Sequence, residues 1–248
     1  MLKNSYYYFT NIFTSNECNN IISYGKNAIS DMIENNNNEY KATVWEQSKK
    51  AKISLANKTY EQVKNKTKKI GKDLKQEVLA RSGKVAWITD KWIYDRVKTF
   101  VDYANNQAGW SYEYDSAESI QFTVYEKGDF YTWHTDGFFD KSQVYTRFIP
   151  GVTQEPALKH HTINNKWVGK TRKISMTVNL SDENSYEGGD LMFDLGPHTP
   201  EERYVKVSQI KKQGSLCVFP SFVHHQVTPI TKGTRYSLVI WFLGRPFK

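Results

Sequence analysis

The hydrophobic periodicity of this chain changes near residue 117, and that change limits the folds available to it. Apolar residues recur at helical spacing in three upstream segments, which are 14–34, 54–80 and 90–107. Downstream, polar and apolar residues alternate with a period of two, most clearly over 119–125 and 174–180. Shorter strand candidates, separated by Gly-containing turns, are 129–134, 190–194, 203–209, 215–219 and 235–242. Helices followed by many short antiparallel strands predict a mainly β fold, a β-sandwich or jelly roll with the N-terminal helices on one face (α+β).

The predicted organisation is one domain over 1–248. Residues 1–116 form its helical support region, and residues 117–248 form its strand-rich core, without an internal repeat or a linker between them. The stretch 138–171 has weak periodicity, and long loops inside compact domains are usually lids or binding loops. We therefore expect this stretch to close over a site.

Positive charge is concentrated in one part of the chain. The sequence has 34 Lys and Arg against 26 Asp and Glu, a net charge of +8. Residues 41–98 hold 16 of the basic side chains and six of the acidic ones, so the rest of the chain is slightly acidic. A basic segment is compatible with nucleic acid, an anionic membrane or an acidic protein as partner, and equally with the solvated face of a Lys-rich helix.

Several classes of protein are excluded by composition. Cys18 and Cys217 are the only cysteines, so a disulfide-stapled domain and an all-Cys zinc site are not expected. No apolar run is long enough for a membrane helix, and the first residues lack the apolar region of a secretory signal. These features favour a soluble intracellular protein without a membrane partner.

Two distant segments carry metal-binding residue types. His134 and Asp136 stand two apart on a candidate strand, so their side chains point to one face. His224 and His225 lie far downstream, and Arg235 opens the mostly apolar strand that follows. Two His and one carboxylate form a facial triad that leaves iron positions open, although zinc accepts the same ligands. A buried arginine needs an anionic partner. A zinc site built from the same ligands would give this anion-binding arginine no role.

These segments resemble the 2-oxoglutarate- and Fe(II)-dependent dioxygenases, and more narrowly the prolyl 4-hydroxylase group with its phage and bacterial relatives. The resemblance spans about 118–243 and rests on four segments in the family's order, namely 125–136, 172–181, 186–191 and 225–235. It implies a double-stranded β-helix (jelly roll) as the catalytic core. It also implies Fe(II), 2-oxoglutarate and O2 as cofactors, with ascorbate as reductant.

The resemblance assigns roles residue by residue. His134, Asp136 and His225 match the iron ligands, and His225 is preferred over its neighbour because it stands four residues before Pro229 and ten before Arg235. His224 points to the opposite face of a strand and is expected to pack or hydrogen-bond instead. Arg235 matches the group that binds the distal carboxylate of 2-oxoglutarate.

Three further positions are candidates for ligand contact. Tyr125 matches a tyrosine whose hydroxyl lies near the cosubstrate, and Trp241 matches a tryptophan beside the peptide in prolyl hydroxylases. Both are also ordinary core aromatics by residue type. Arg147, in the expected lid, is a candidate for substrate contact.

The remaining candidates are read as structural or solvated. His160, His161 and His198 have no second ligand at a useful spacing, so we do not expect them to bind metal. Gly188 and Gly189 are expected to form a tight turn before a strand.

The resemblance therefore predicts a hydroxylase, akin to procollagen-proline 4-dioxygenase, acting on peptidyl-proline in a peptide or protein. Asp136 favours hydroxylation, because halogenases of this superfamily lack the carboxylate. Arg235 departs from the collagen-type enzymes, which have Lys at this position. Oxygenation of nucleic acid or of another amino-acid residue remains open, as does a non-catalytic jelly-roll binding module. A cytoplasmic location, in the host cell if the chain is viral, is expected.

Overall fold

A computed structural model of the chain describes residues 4–34, 50–51, 78–79, 81–137, 144, 166–196 and 199–247. The helices of this part are α1 (Ser15–Glu34), α2 (Lys91–Gln107) and the short α3 (Pro200–Arg203), with a 3-10 turn at Ser208–Lys211. The first five strands are β1 (Tyr7–Phe9), β2 (Lys50–Ala51), β3 (Val78–Leu79), β4 (Lys84–Ile88) and β5 (Ser116–Ala117). The later strands are β6 (Ile120–Tyr125), β7 (Tyr131–His134), β8 (Thr171–Asn179), β9 (Tyr186–Gly188), β10 (Leu191–Asp194), β11 (Tyr204–Lys206), β12 (Leu216–Pro220), β13 (His224–Val227), β14 (Ile230–Gly233) and β15 (Arg235–Gly244).

Helix α1 begins with a reciprocal cap. The backbone N–H of Glu17 donates to the Thr14 hydroxyl over 3.2 Å, and the Glu17 carboxylate accepts the Thr14 N–H over 2.8 Å. This capping box satisfies two N–H groups that the first turn leaves without helical partners. The helix predicted over 14–34 is confirmed.

Helix α2 packs one face on the large sheet. Its buried residues recur every three or four positions and are Ile93, Val97, Val101 and Ala104. They join the main hydrophobic core, which lies between the helices and the sheet. The helix predicted over 90–107 is confirmed, with its first helical residue at Lys91.

The helix predicted over 54–80 does not extend to its expected end. Val78 and Leu79 form β3 and pair antiparallel with β2, so the chain is extended there. The spacing of apolar residues cannot reveal a strand whose partner lies far upstream in the sequence. Most of the predicted helix lies outside the described residues.

The strands form a jelly roll, as the sequence predicted. The large sheet has the order β1-β12-β8-β15-β6-β4, with β5 paired to β15, and the small sheet has the order β11-β10-β13-β7. Strands β6, β7 and β8 alternate between the large and the small sheet, as do β11, β12 and β13, while β14 pairs with β9 in a separate two-stranded sheet. Such alternation between two facing antiparallel sheets is the arrangement of a jelly roll.

Strand β6 is buried on both faces, although its sequence alternates polar and apolar residues. Ile120, Phe122 and Val124 enter the main core against the helices. Gln121 lines a cavity on the opposite face. The polar positions of this strand therefore face a site inside the protein and not bulk solvent.

Several predicted boundaries need correction. Thr171 already belongs to β8, and Trp167 in the preceding turn is buried against Leu243, so the end of the stretch expected to be a lid is part of the scaffold. The rest of that stretch, apart from residue 144, lies outside the described residues. The supposedly helical region 1–116 also supplies β1 and β4 to the large sheet.

Among the described residues, no helix is long and apolar enough to cross a membrane. Cys18 and Cys217 are both buried free thiols.

Candidate metal and cosubstrate site

The fold brings His134, Asp136 and His225 together. His134 ends β7, Asp136 follows two residues later, and His225 lies opposite His134 in the antiparallel pairing of β7 and β13. One ligand atom from each of the three residues lies within 4.8 Å of the other two. The His134 Nε2 is 3.6 Å from Asp136 Oδ1, and the His225 Nε2 is 3.5 Å from Asp136 Oδ2.

Backbone carbonyl groups orient both imidazoles. The Nδ1 of His134 lies 2.7 Å from the Thr132 carbonyl oxygen, and the Nδ1 of His225 lies 2.9 Å from that of Val223. A carbonyl only accepts, so each Nδ1 carries the proton and donates it. Each Nε2 is thereby left with a lone pair directed to the carboxylate, as in histidines that ligate metals.

The electrostatics of the triad suit a divalent cation. Burial alone would raise the pKa of Asp136, but its interactions with the neighbouring His225, His134 and Arg172 lower it well below its usual range. Burial lowers the pKa of His225 to about 4, with a further contribution from His134. At neutral pH Asp136 is therefore a carboxylate, and His225 is a neutral imidazole donor. The buried Oδ2 of Asp136 has no hydrogen-bond partner in the described part of the chain, which fits a role as metal ligand.

The loop that carries Asp136 is fixed to the scaffold by Ser221. The backbone N–H groups of Asp136 and Gly137 both donate to the Ser221 carbonyl oxygen over 2.8 Å. The N–H of Ser221 donates in turn to the Lys173 carbonyl, and its hydroxyl is 2.9 Å from that of Ser175. The position of the carboxylate is thus set by a connection between the large sheet and the β12–β13 turn.

Arg235 provides a buried positive charge in the same site. It starts β15 opposite Tyr125 on β6, and only 3% of it is exposed. Its guanidinium lies 5.8 Å from the centre of the Tyr125 ring. Within the described ranges it forms no ion pair with a carboxylate, unlike the buried Arg172. A buried guanidinium without an anionic partner is costly, so this site is suited to an anionic ligand.

The triad and Arg235 line one cavity. Both sheets contribute to its wall. The polar and charged lining residues are Gln121, Tyr125, Tyr131, His134, Asp136, Thr177, His225, Arg235 and Ser237, and the largely apolar ones are Leu191, Phe219, Val227, Val239 and Trp241. A metal at one end and a dicarboxylate reaching toward Arg235 would occupy this single space.

Trp241 lines the cavity beside a buried ion pair that sequence reasoning did not single out. The Arg172 guanidinium lies 3.8 Å from the Trp241 ring centre. Arg172 binds the fully buried Glu118 through two hydrogen bonds of 2.5 and 2.7 Å. The signal in the sequence was a charged residue, Arg172, near the start of strand β8. The Nε1 of Trp241 is buried and has no hydrogen-bond partner in the described part.

A second residue missed from the sequence is Tyr131, which stacks on a triad imidazole. Its ring lies 3.5 Å from that of His134 at an interplanar angle of 14°. The guanidinium of Arg81 lies 5.0 Å from the Tyr131 ring and donates to Gln121 and Thr123. Arg81 reaches the site through tertiary folding alone, so no local pattern marks it.

The remaining residues named from the sequence either have the position that was predicted for them or lie outside the described residues. His224 faces away from the triad, with its Nδ1 3.6 Å from Asp194 Oδ2 and its ring near Trp133. Gly188 and Gly189 have φ values of 77° and 64°, which confirms the tight turn. Arg147, His160, His161 and His198 lie outside the described residues.

The comparison with protein families identifies the class to which this site belongs. A model of the 2OG-Fe(II) oxygenase superfamily matches residues 120–243, which is half of the chain. The chain therefore belongs to this superfamily, as the motifs predicted. The family requires Fe(II) and 2-oxoglutarate, and the triad and Arg235 fit both.

Curated relatives are similar over short stretches. A PKHD-type hydroxylase of Synechococcus sp. (strain CC9605) is 40% identical over 70 residues, which cover 28% of this chain and 29% of the relative. A PKHD-type hydroxylase of Escherichia coli O157:H7 is 30% identical over 122 residues, which cover 48% of this chain and 40% of the relative. The chain thus matches less than half the length of either protein.

Solved structures support the fold. The viral collagen prolyl hydroxylase of Paramecium bursaria Chlorella virus-1 superposes with a TM-score of 0.53 at 13% identity, covering 97% of both chains. A prolyl hydroxylase of Trichoplax adhaerens, in complex with a hypoxia inducible factor peptide fragment, gives a TM-score of 0.51 at 16% identity and covers 96% of this chain and 83% of that one. At these identities the likeness shows the fold alone.

Proposed function

We propose that this protein is a 2-oxoglutarate- and Fe(II)-dependent dioxygenase that hydroxylates an unactivated C–H bond, with a prolyl residue of a peptide or protein as its target. One observation carries the proposal. A His-Asp-His cluster and a buried arginine without a carboxylate partner in the described part line the same cavity.

The residues divide into two binding roles. His134, Asp136 and His225 would hold Fe(II), with their Nε2 atoms and the free carboxylate oxygen as donors. Arg235 would hold the distal carboxylate of 2-oxoglutarate through paired N–H groups. When bound, the metal and cosubstrate supply oxidative chemistry in which O2 oxidises 2-oxoglutarate to succinate and CO2 and the second oxygen atom enters a C–H bond.

The cavity wall assists by keeping water away. Leu191, Phe219 and Val227 are apolar lining residues next to the charged groups. A low local dielectric strengthens the pairing of a guanidinium with a carboxylate. It also limits side reactions of oxidising species with solvent.

A peptide substrate is favoured by Trp241 and by the relatives. Trp241 presents an aromatic face to the cavity, and its buried indole N–H has no described partner and can donate to a substrate carbonyl. The curated relatives are named PKHD-type hydroxylases, and the two structural neighbours are named prolyl hydroxylases. Arg147 remains a candidate for substrate contact from the region that was expected to form a lid.

Turnover on a peptide array tests the reaction and the substrate together. The purified protein is incubated with Fe(II), 2-oxoglutarate, O2 and ascorbate, and succinate and a product heavier by one oxygen atom are measured. We expect proline-containing peptides to be hydroxylated by the wild-type protein and not by His134→Ala. Absence of succinate formation and of 2-oxoglutarate binding would exclude the enzyme and leave a non-catalytic binding module.

The basic segment 41–98 motivates the nucleic-acid alternative. If DNA or RNA is the substrate, its binding should weaken steeply with salt, because phosphate contacts release counterions. Oxidation of a nucleic acid, with no peptide hydroxylated, would replace the prolyl assignment and retain the dioxygenase.

A further inference from the structure

Tyr186 lies against the buried arginine of the cosubstrate site. Arg235 lines the cavity, whereas Tyr186 belongs to a buried cluster with Tyr125 and Ile230 beside it. We infer that Tyr186 is a positioning residue that holds the Arg235 guanidinium in the orientation needed to bind the distal carboxylate of a five-carbon 2-oxo dicarboxylic acid. The inference deepens the proposed function and rests on it.

The strand pairing places the two residues next to each other. Tyr186 starts β9 and is the register partner of Gly233, which ends β14 two residues before Arg235. The Tyr186 side chain lies close enough to the Arg235 guanidinium to interact with it directly. Only 4% of Tyr186 is exposed, so water does not replace this contact.

The turn after β9 confines the arginine stem on another side. A Cβ at Gly189 would lie 3.0 Å from Arg235 Cδ, 2.4 Å from Ile230 Cδ1 and 3.6 Å from a ring carbon of Tyr186. The missing side chain of Gly189 therefore leaves the space through which Arg235 passes. Tyr186 and this turn together restrict a side chain that otherwise has many rotamers.

The phenol is suited to this role because it stays neutral. Burial raises the pKa of Tyr186, and this effect outweighs the opposing charge of Arg235. A neutral hydroxyl oxygen can accept one N–H of the guanidinium, which leaves the other N–H groups for the ligand. If the Arg235 guanidinium is already fixed before the ligand binds, its side chain loses less conformational entropy when it pairs with the carboxylate.

Tyr186→Phe tests the inference with a single-atom change. Tyr114→Phe is the matched control, since the Tyr114 hydroxyl donates to Asp102 away from the cavity. We measure the binding of 2-oxoglutarate to the Fe(II)-loaded protein without oxygen by calorimetry, the affinity for Mn2+ alone, and the melting temperature. We expect Tyr186→Phe to raise the Kd for 2-oxoglutarate about tenfold, the value of one hydrogen bond to a charged group.

Mn2+ affinity should be unchanged in both variants, and Tyr114→Phe should bind 2-oxoglutarate like the wild type. In turnover, Tyr186→Phe should raise the KM for 2-oxoglutarate and leave kcat at saturation nearly unchanged. A wild-type Kd in Tyr186→Phe would overturn the inference, as would a loss of Mn2+ affinity that follows a loss of stability. If the wild-type protein itself does not bind 2-oxoglutarate, the proposed function fails, and the inference fails with it.

Discussion

His134 and His225 are register partners across β7 and β13, and their ring centres lie 4.1 Å apart. Paired residues of antiparallel strands point to the same face of the sheet, so this pairing brings two distant histidines to one point. Asp136 completes the cluster. Its backbone N–H and that of Gly137 donate to the Ser221 carbonyl oxygen, and these hydrogen bonds hold Asp136 next to the two histidines. The candidate metal site is therefore a product of strand register.

The neighbouring histidines allow a direct test of the metal ligands. His225→Ala should lower the affinity for Fe(II) or Mn2+ by about 100-fold or more, since even outer-shell partners of metal ligands contribute about 10–100-fold. His224→Ala is the control and should bind metal like the wild type, because His224 faces Asp194. Metal affinity is measured by calorimetry under anaerobic conditions. Equal losses in the two variants would contradict the assignment.

The buried pair of Glu118 and Arg172 should contribute strongly to stability. Glu118→Ala removes the bidentate partner of a guanidinium that is only 11% exposed, and we expect the free energy of unfolding to fall by about 3–5 kcal/mol. Replacing both residues, as Glu118→Leu with Arg172→Met, should restore much of this loss because neither charge of the pair is then left buried without its partner. Denaturant unfolding measures both changes, and a single variant as stable as the wild type would refute the prediction.

A side chain at Gly189 should disturb Arg235. Gly189→Ala introduces a Cβ that meets Arg235 and Ile230, and it also strains a backbone with φ of 64°. We expect a loss of about 1–3 kcal/mol in stability together with weaker 2-oxoglutarate binding. Gly128→Ala separates backbone strain from contact with Arg235. Gly128 also has a positive φ, of 91°, but an added Cβ at this position meets no other atom. Calorimetry should show weakened binding only for Gly189→Ala.

Lys173 should make stability depend on pH in the alkaline range. Burial lowers the pKa of its ammonium, which lies 3.4 Å from the Phe247 ring centre, although Glu113 opposes the shift. Between the lowered pKa and the usual value of 10.5, the unfolded chain binds more protons than the folded one, so stability rises with pH across that window. Lys173→Met should be more stable than the wild type at pH 7, and the difference should disappear near pH 11. Chemical denaturation at several pH values measures it, and an unchanged difference would count against the prediction.

Local patterns were sufficient where a structure depends on neighbours in sequence. The helical spacing over 14–34 identified α1, and the period of two over 119–125 identified β6. The spacing of His134, Asp136, His225 and Arg235 was likewise legible, because residues two apart on a strand share a face and the family motif keeps their order.

Partners that lie far apart in the sequence could not be read in this way. Val78 and Leu79 were assigned to a helix, but they pair with Lys50 and Ala51. No local pattern in the sequence singled out Arg81. Its position beside Tyr131 depends on a β-bridge between two segments that are distant in the sequence. Side-chain periodicity reports which face of an element is buried, and it does not report what covers that face.

The sequence by itself determined the class of fold, the superfamily and the residues suited to hold a metal and an anion, since these depend on residue type and spacing. Only the tertiary structure decided which groups surround them. It placed the ion pair of Glu118 and Arg172 against the Trp241 ring and the Ser221 carbonyl next to the Asp136 N–H. It also placed Tyr186 beside Arg235. The physical reason is that orientation, burial and hydrogen-bond partners arise from contacts between strands that the chain brings together only when it folds.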